Sequence, residues 1–408
     1  MKKNLYLLYG ISFLQGMVFY GSAAVLYRQE AGLTIFQISV IESISLFLCL
    51  GMEIPWGILA DKIGYKKTMV ICSLFYFLSK IIFWKAWSFW DFLMERGFLS
   101  LAVSGLSGVD SSLLYLSAPK GSSQKVFGIY QGLGQTGLFL ASLYFFLTGG
   151  SQLRTAAFLT SLAYGAALFL CLLLLEPEHL PQKTFRKAED GKKTKEAGSG
   201  KHISSFFSEV KETLSRKPLL LFLAGAGLLT ETGQMLTVFL NQPQYIACGL
   251  SLRTISLIFI LAQAVGTIAP LSSFFCKKLG RLKFSACCFL FPGIFCFILG
   301  HTKSPVCSVV CILGIQCFLS LFQPLFSELQ NREVHGANRA SILSIQAMFL
   351  ELTGAVINPV FGKLADISLR TAFMAGGLFC CLGFFLFLFI LPSGCLRRSI
   401  HKPRRLPE

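Results

Sequence analysis

The chain has 408 residues, 54% of them hydrophobic and only 14% charged, with a mean hydropathy of +0.64. A soluble domain carries roughly 25% charged residues. Here charge is nearly absent from stretches of about 20–25 residues, each long enough to cross a ~30 Å hydrocarbon core at about 1.5 Å per residue, and this excludes an ordinary soluble protein.

In chain order the apolar runs fall at approximately 4–27, 36–60, 68–88, 91–118, 124–148, 153–175, 218–242, 252–276, 283–301, 304–328, 339–365 and 369–393. They predict an all-α membrane protein with twelve spans. Gly and Pro interrupt several runs, which spanning helices tolerate when neighbours satisfy the freed backbone groups. The first run directly follows Lys2-Lys3. It is too long for a signal-peptide core and no A-x-A cleavage site follows, so it reads as a span. Residues 176–217 are polar, Lys-rich and Gly/Ser-containing. Thr184–Gly200 reads as disordered and His202–Ser215 as a short surface amphipathic helix. This linker separates a six-helix bundle (1–175) from a second (218–395), and a basic tail covers 396–408.

Placement of the +17 net charge argues against nucleic acid. Of the 37 Lys and Arg, 28 fall in the termini and alternate loops of the twelve-span arrangement, ten of them in the linker. This positive-inside bias places both termini in the cytoplasm, in an inner or plasma membrane, with anionic lipid as a secondary attraction. The 14 cysteines lie almost entirely within spans, with no zinc-type spacing, and read as small packing residues. No metal site is expected.

The halves repeat at an offset of 216 residues. Leu153-Arg154-Thr155-Ala156 recurs as Leu369-Arg370-Thr371-Ala372, and the basic loop with Gly64 falls on the basic loop with Gly280. Pseudo-symmetric bundles of this kind place a substrate site at their interface near the midplane.

Two carboxylates fall at that depth. Glu231 is about 13 residues into the seventh span and Glu351 about 12 into the eleventh. An ionised carboxylate there costs several kcal/mol unless paired, hydrated or protonated, so such residues usually face a cavity. That suits a proton carrier or a site for a cationic substrate; the plainer reading is a protonated acid hydrogen-bonded between helices. Their repeat counterparts are Gln15 and Gln135. Steps of three and four from Glu351 reach Gly354, Asn358 and Gly362, a small-residue seam on one helix face. Glu42 and the pair Glu95-Arg96 lie toward the outer side, where the acids can simply neutralise Arg96. Gln234, Gln316 and Gln323, with Tyr9 and Tyr20, read as cavity-lining or interhelical hydrogen-bonding groups.

The most distinctive local motif is Gly57-x-x-x-Asp61-Lys62-x-Gly64-x-Lys66-Lys67, between the second and third spans. Gly57 permits close helix approach, Asp61 can cap a helix N-terminus, and the lysines can pair with Asp110 on the fourth span. The motif resembles the signature loop of the major facilitator superfamily, and the resemblance in layout covers essentially the whole chain. It implies two rocking six-helix bundles, a cytoplasmic latch in one of two alternating-access states, and a cavity lined by spans that include the seventh and tenth. Where the family usually has Arg this chain has Tyr65, which leaves the latch to Lys66 or Lys62. Glu53-Ile54-Pro55 and Ser104-Gly105…Asp110 resemble a bacterial efflux-like branch. The Gly-x-x-x-Gly-Pro-x-x-Gly run of drug/proton antiporters is only echoed. Span five has Gly128, Gly132, Gly134 and Gly137 without the Pro, and span eleven has Gly354-x-x-x-Asn358-Pro359-x-x-Gly362.

The resulting expectation is a monomeric, proton-driven secondary transporter with no cofactor, exporting small amphipathic or cationic compounds. Uptake of a sugar, organic anion or other metabolite is the alternative. A transport-dead sensor or membrane enzyme is the reading from another class, disfavoured because no P-loop, H-E-x-x-H or G-x-S-x-G occurs.

Overall fold

The structure, a computed structural model, describes residues 2–106, 109–117, 123–149, 152–176, 217–333 and 339–388. The linker beyond Glu176 and before Lys217, and the basic tail, lie outside these residues. The first half runs α1 (Lys2–Gly16), α2 (Ala24–Glu30), α3 (Ile35–Ile63), α4 (Tyr65–Lys85), α5 (Phe89–Leu106), α6 (Val109–Ser117), α7 (Ser123–Leu147) and α8 (Leu153–Leu172). The second runs α9 (Lys217–Gln234), α10 (Asn241–Ala247), α11 (Leu252–Gly266), α12 (Ser272–Leu279), α13 (Arg281–Leu299), α14 (Pro305–Glu333), α15 (Arg339–Ile367) and α16 (Leu369–Leu388). Among the described residues nine stretches are long and apolar enough to cross a membrane. Helix α5 with α6, helix α7, and α11 with α12 supply the other spans, so the molecule is a twelve-span all-α membrane protein.

Helix starts carry the 216-residue offset. α4 and α13 open at Tyr65 and Arg281, α5 and α14 at Phe89 and Pro305, α7 and α15 at Ser123 and Arg339, α8 and α16 at Leu153 and Leu369. The repeated Leu-Arg-Thr-Ala string has a physical reason. Arg154 donates to the carbonyls of Trp84 and Ala86 at 3.0 and 3.1 Å, satisfying groups freed at the end of α4. Its repeat mate Arg370 lies 3.1 Å from His301 Nε2 in the equivalent turn. Since guanidinium has no acceptor, Nε2 must accept and His301 Nδ1 donates to the Phe297 carbonyl at 3.0 Å. One Arg in each half pins the turn between its third and fourth spans.

The first span of each half is broken at matching positions. Span one leaves the α-helix after Gly16 and passes a 3₁₀ turn at Gly21–Ala23 before α2. Span seven passes a π-helical turn at Met235–Phe239, closed by Leu240 N–H to the Met235 carbonyl at 2.8 Å. Pro243 follows and cannot donate to Phe239, which ends regular α geometry there. Freed donors are satisfied from a distance: Phe19 N–H by Thr160 Oγ1 at 3.0 Å, Val25 and Leu26 N–H by Gln242 Oε1 at 3.0 and 3.3 Å.

The glycine run of span five builds packing: a Cβ on Gly16 would strike the Gly134 carbonyl, and one on Gly137 the Phe13 carbonyl, so α1 and α7 meet backbone to backbone. The halves meet through α3 on α15 and α7 on α11. At the end away from Lys2 and Gly64, here the far end, they are tied together. Ser22 and Ser256 hydroxyls lie 3.3 Å apart, Gln242 reaches span one, and Phe36 N–H donates to Asp366 at 3.2 Å. Gly362 packs on Ser39 and Phe36. At the opposite end a Cβ added to Gly57 would meet no atom of the described residues within 4 Å.

Candidate functional site

Beneath the closed far end, five ionisable side chains from four helices converge. Arg28 comes from α2, Glu42 from α3, Lys80 from α4, and Glu95 and Arg96 from α5. Arg28, Lys80 and Glu95 are 5%, 5% and 1% exposed. Arg96 Nη2 pairs with Glu42 Oε2 at 2.7 Å and stands 4.0 Å from Glu95. Arg96 is therefore neutralised by Glu42 rather than by its chain neighbour. Glu95 is shared: Arg28 Nη2 lies 3.6 Å and Lys80 Nζ 4.0 Å away, both beyond hydrogen-bond distance. Lys80 donates to the Tyr20 hydroxyl at 3.2 Å. Aromatic faces complete the surround, with Arg28 over Phe83 and Phe92 and Lys80 over Tyr164. Glu95 Oε2, Arg28 Nε and Arg96 Nε are buried without a hydrogen-bond partner.

A cavity of ≈ 210 Å³ lies against this cluster, walled on the other side by Thr237, Asn241, Gln242 and Phe259 of the second half. A lobe of ≈ 100 Å³ adjoins it, lined among others by Ser22, Tyr245, Gln263 and Gln316. The π turn of span seven places Thr237, Val238 and Asn241 on both.

Deeper in the molecule, Glu231 packs against Gly354, where a Cβ would run into its carboxyl. Asn358, fully buried, lies beside it. Among the described residues Glu231 Oε2 and the Gln346 amide lack hydrogen-bond partners, while the Asn358 amide is close enough to stabilise the Glu231 carboxyl. Glu351 is half-buried, in electrostatic range of Glu53 and Glu231, and Glu231 in range of Glu42. The expected seam on α15 turns as it runs: Gly354 faces span seven and Gly362 faces span two. The Gln15 carbonyl accepts from Tyr164 at 2.8 Å and its side-chain Nε2 is buried without a partner. Gln234 is half-buried, Gln135 is exposed on α7, and neither is hydrogen-bonded to a midplane acid among the described residues.

In the signature loop Gly64 takes φ +94° between α3 and α4, a conformation L side chains rarely adopt. The N-terminus of α4 is capped by Glu176, whose carboxylate accepts Tyr65 N–H at 2.9 Å and Lys66 N–H at 3.1 Å. Sequence reasoning assigned Glu176 to the linker. The Asp61 side chain lies outside what is described, and Asp110 sits in electrostatic range of Tyr76 and Tyr130. Lys62 and Lys67 are exposed and Lys66 is half-buried. In the repeat of this loop, Arg281 Nη2 lies 2.9 Å from Glu328 of α14.

Arg28 and Lys80 were not singled out from sequence either, one lying just past an apolar run and the other inside one. Their signal was present, as cations embedded in hydrophobic sequence.

Two helical bundles with a polar cavity between them are the layout of a multi-pass membrane transporter. The family model described as Major Facilitator Superfamily matches residues 5–357, and the chain belongs to that superfamily. No curated protein matches the sequence. Among solved structures it is similar to the nucleoside transporter NupG, at 17% identity and TM-score 0.77, covering 95% of this chain and 99% of that one. It is also similar to a peptide transporter (16%, TM-score 0.71, covering 97% and 95%) and to a D-xylose-proton symporter (14%, TM-score 0.68, covering 95% and 98%). At such identities the likeness is one of fold.

Proposed function

We propose that this chain is a proton-coupled secondary transporter exporting small amphipathic compounds by alternating access, with Glu231 and Glu351 as its protonation sites. The observation that carries the reading is Glu231 packed against Gly354 and beside Asn358, with Glu42 and Glu351 in electrostatic range and Glu53 in range of Glu351, a file of carboxylates. Such a file through the protein interior suits stepwise proton movement. An unpartnered Glu231 Oε2 beside Asn358, with the Gln346 amide also unpartnered among the described residues, supports a group whose hydrogen bonds change during a cycle. The positive-inside bias supports cytoplasmic termini in the cell membrane, with the closed far end toward the outside. The efflux-like stretches around Glu53 and Ser104 support export. Midplane acids alone favour a cationic cargo; the cation-rich cavity beside them favours an anionic head, and the proposal takes the second.

The test is reconstitution into vesicles containing a pH-reporting dye. Adding cargo should change internal pH, and Glu231→Gln with Glu351→Gln should abolish the change. Full coupling in that double variant would sink the carboxylate assignment.

A further inference from the structure

We propose that Arg28, Lys80 and Arg96 form an anion-binding subsite of the inter-half cavity, holding the carboxylate of a small organic acid. This deepens the transporter reading and rests on it. With all five groups ionised, three cations face two carboxylates, so a single positive charge is left over in a site where Arg28, Lys80 and Glu95 are buried and Arg96 is 19% exposed toward the cavity. Burying an uncompensated charge is costly, and proteins normally neutralise it with a partner. Glu42 is committed to Arg96 at 2.7 Å. Glu95 alone serves Arg28 and Lys80, at 3.6 and 4.0 Å, too long for hydrogen bonds. The Nε of Arg28 and of Arg96 are left without acceptors, and Arg28, Lys80 and Arg96 all line the cavity. Planar guanidinium beside an ammonium matches a carboxylate in both charge and fork geometry.

The repeat supplies an independent observation. At the offset of 216, the counterparts of Arg28, Glu42, Lys80, Glu95 and Arg96 are Gln244, Ile258, Cys296, Cys311 and Ile312. Four of these sit in the second half's hydrophobic core. The scaffold therefore packs at these positions without charge, and its geometry does not require the cluster. The cavity volume sets the scale of the cargo's head at a single small ring or short chain.

The experiment compares benzoate, benzamide and benzylamine, three ligands of one shape and charges −1, 0 and +1, by thermal shift on the purified full-length chain. Benzoate should raise the melting temperature with the logarithm of its excess over Kd, and the other two should not. Arg28→Gln and Lys80→Gln should each weaken benzoate by about tenfold or more, the loss of one charged hydrogen bond. Glu95→Gln removes the competing acid at constant shape and should tighten it; that opposite sign keeps the proposal testable even where a cation variant folds poorly. Equal stabilisation by benzamide or benzylamine, or weaker benzoate binding in Glu95→Gln, overturns the site. In vesicles, a pH change driven by a neutral or cationic cargo and unaltered in Arg28→Gln overturns it too, while leaving transport standing. Benzoate binding that follows these variants with no pH change for any cargo supports the site and sinks the proton-coupled reading.

Discussion

The far-end third of the first half and its counterpart in the second are built on the same scaffold and filled with opposite materials. In the first half Arg28, Glu42, Lys80, Glu95 and Arg96 form a buried ionic network. In the second, Ile258, Cys296, Cys311 and Ile312 are buried apolar contacts, and Gln244 donates to Ser308 at 3.0 Å. The midplane is reversed: the second half holds Glu231 and Glu351, and the first has Gln15 and Gln135 at their repeat positions. Symmetry of the helices does not extend to the chemistry between them. One half carries its buried charges toward the far end, the other its carboxylates toward the centre.

The largest effect should come from moving the second half's solution into the first. Glu95→Leu alone strands Arg28 and Lys80 and should destabilise the protein by about 3–5 kcal/mol. Replacing all five residues with their repeat mates (Arg28→Gln, Glu42→Ile, Lys80→Cys, Glu95→Cys, Arg96→Ile) removes every buried charge together. That variant should melt higher than Glu95→Leu despite four more substitutions, and should move no cargo in vesicles. A fivefold variant less stable than the single one would show that the halves are not interchangeable here.

An intermediate effect is expected where the halves touch. Gln242 holds the N–H groups of Val25 and of Leu26, its own repeat mate. Gln242→Ala leaves two buried donors without acceptors, costing about 1–3 kcal/mol. Because the bond is local to the far end, the loss should appear as faster amide exchange at Val25 and Leu26, by about 5- to 150-fold, with little change around Glu231. Uniform acceleration throughout the chain would mean that Gln242 supports the fold rather than the closure.

The twelve spans and the 216-residue repeat were legible because both are written in long runs and repeated strings. What escaped is what distant residues impose. The run over 4–27 reads as one helix, yet span one breaks after Gly16 because Thr160 and Gln242 accept the N–H groups it frees. No local pattern announces partners so remote. The matching break in span seven carries a signal in Pro243, which directly follows the apolar run over 218–242. Arg28 and Lys80 were hidden by the apolar residues around them, and their meaning depends on Glu95 sitting between them, which is a tertiary fact. Asp110 and the loop lysines were visible as a motif, while the acid that caps α4 arrived from the far end of α8.

That cap offers the finest test of the comparison. Gly64 and Gly280 occupy equivalent turns with φ +94° and +77°, each opening the third span of its half. In the first half the new helix is met by Glu176, which accepts two backbone N–H groups at the positive end of the helix dipole. The repeat position holds Pro392, which carries no acid. There Arg281 reaches sideways to Glu328 instead, a pair with side chains 25% and 44% exposed. A cap held by backbone donors is worth about 1 kcal/mol, and an exposed ion pair about 0–1 kcal/mol, less at high salt. Glu176→Ala removes the acceptors themselves and should lower stability by about 1 kcal/mol and speed amide exchange at Tyr65 and Lys66, with most of the loss persisting at high salt. Arg281→Ala should cost less, and its cost should vanish as salt is added. If Arg281→Ala proves the more damaging of the two, the loop of the second half, not the signature loop of the first, is the firmer anchor at this end.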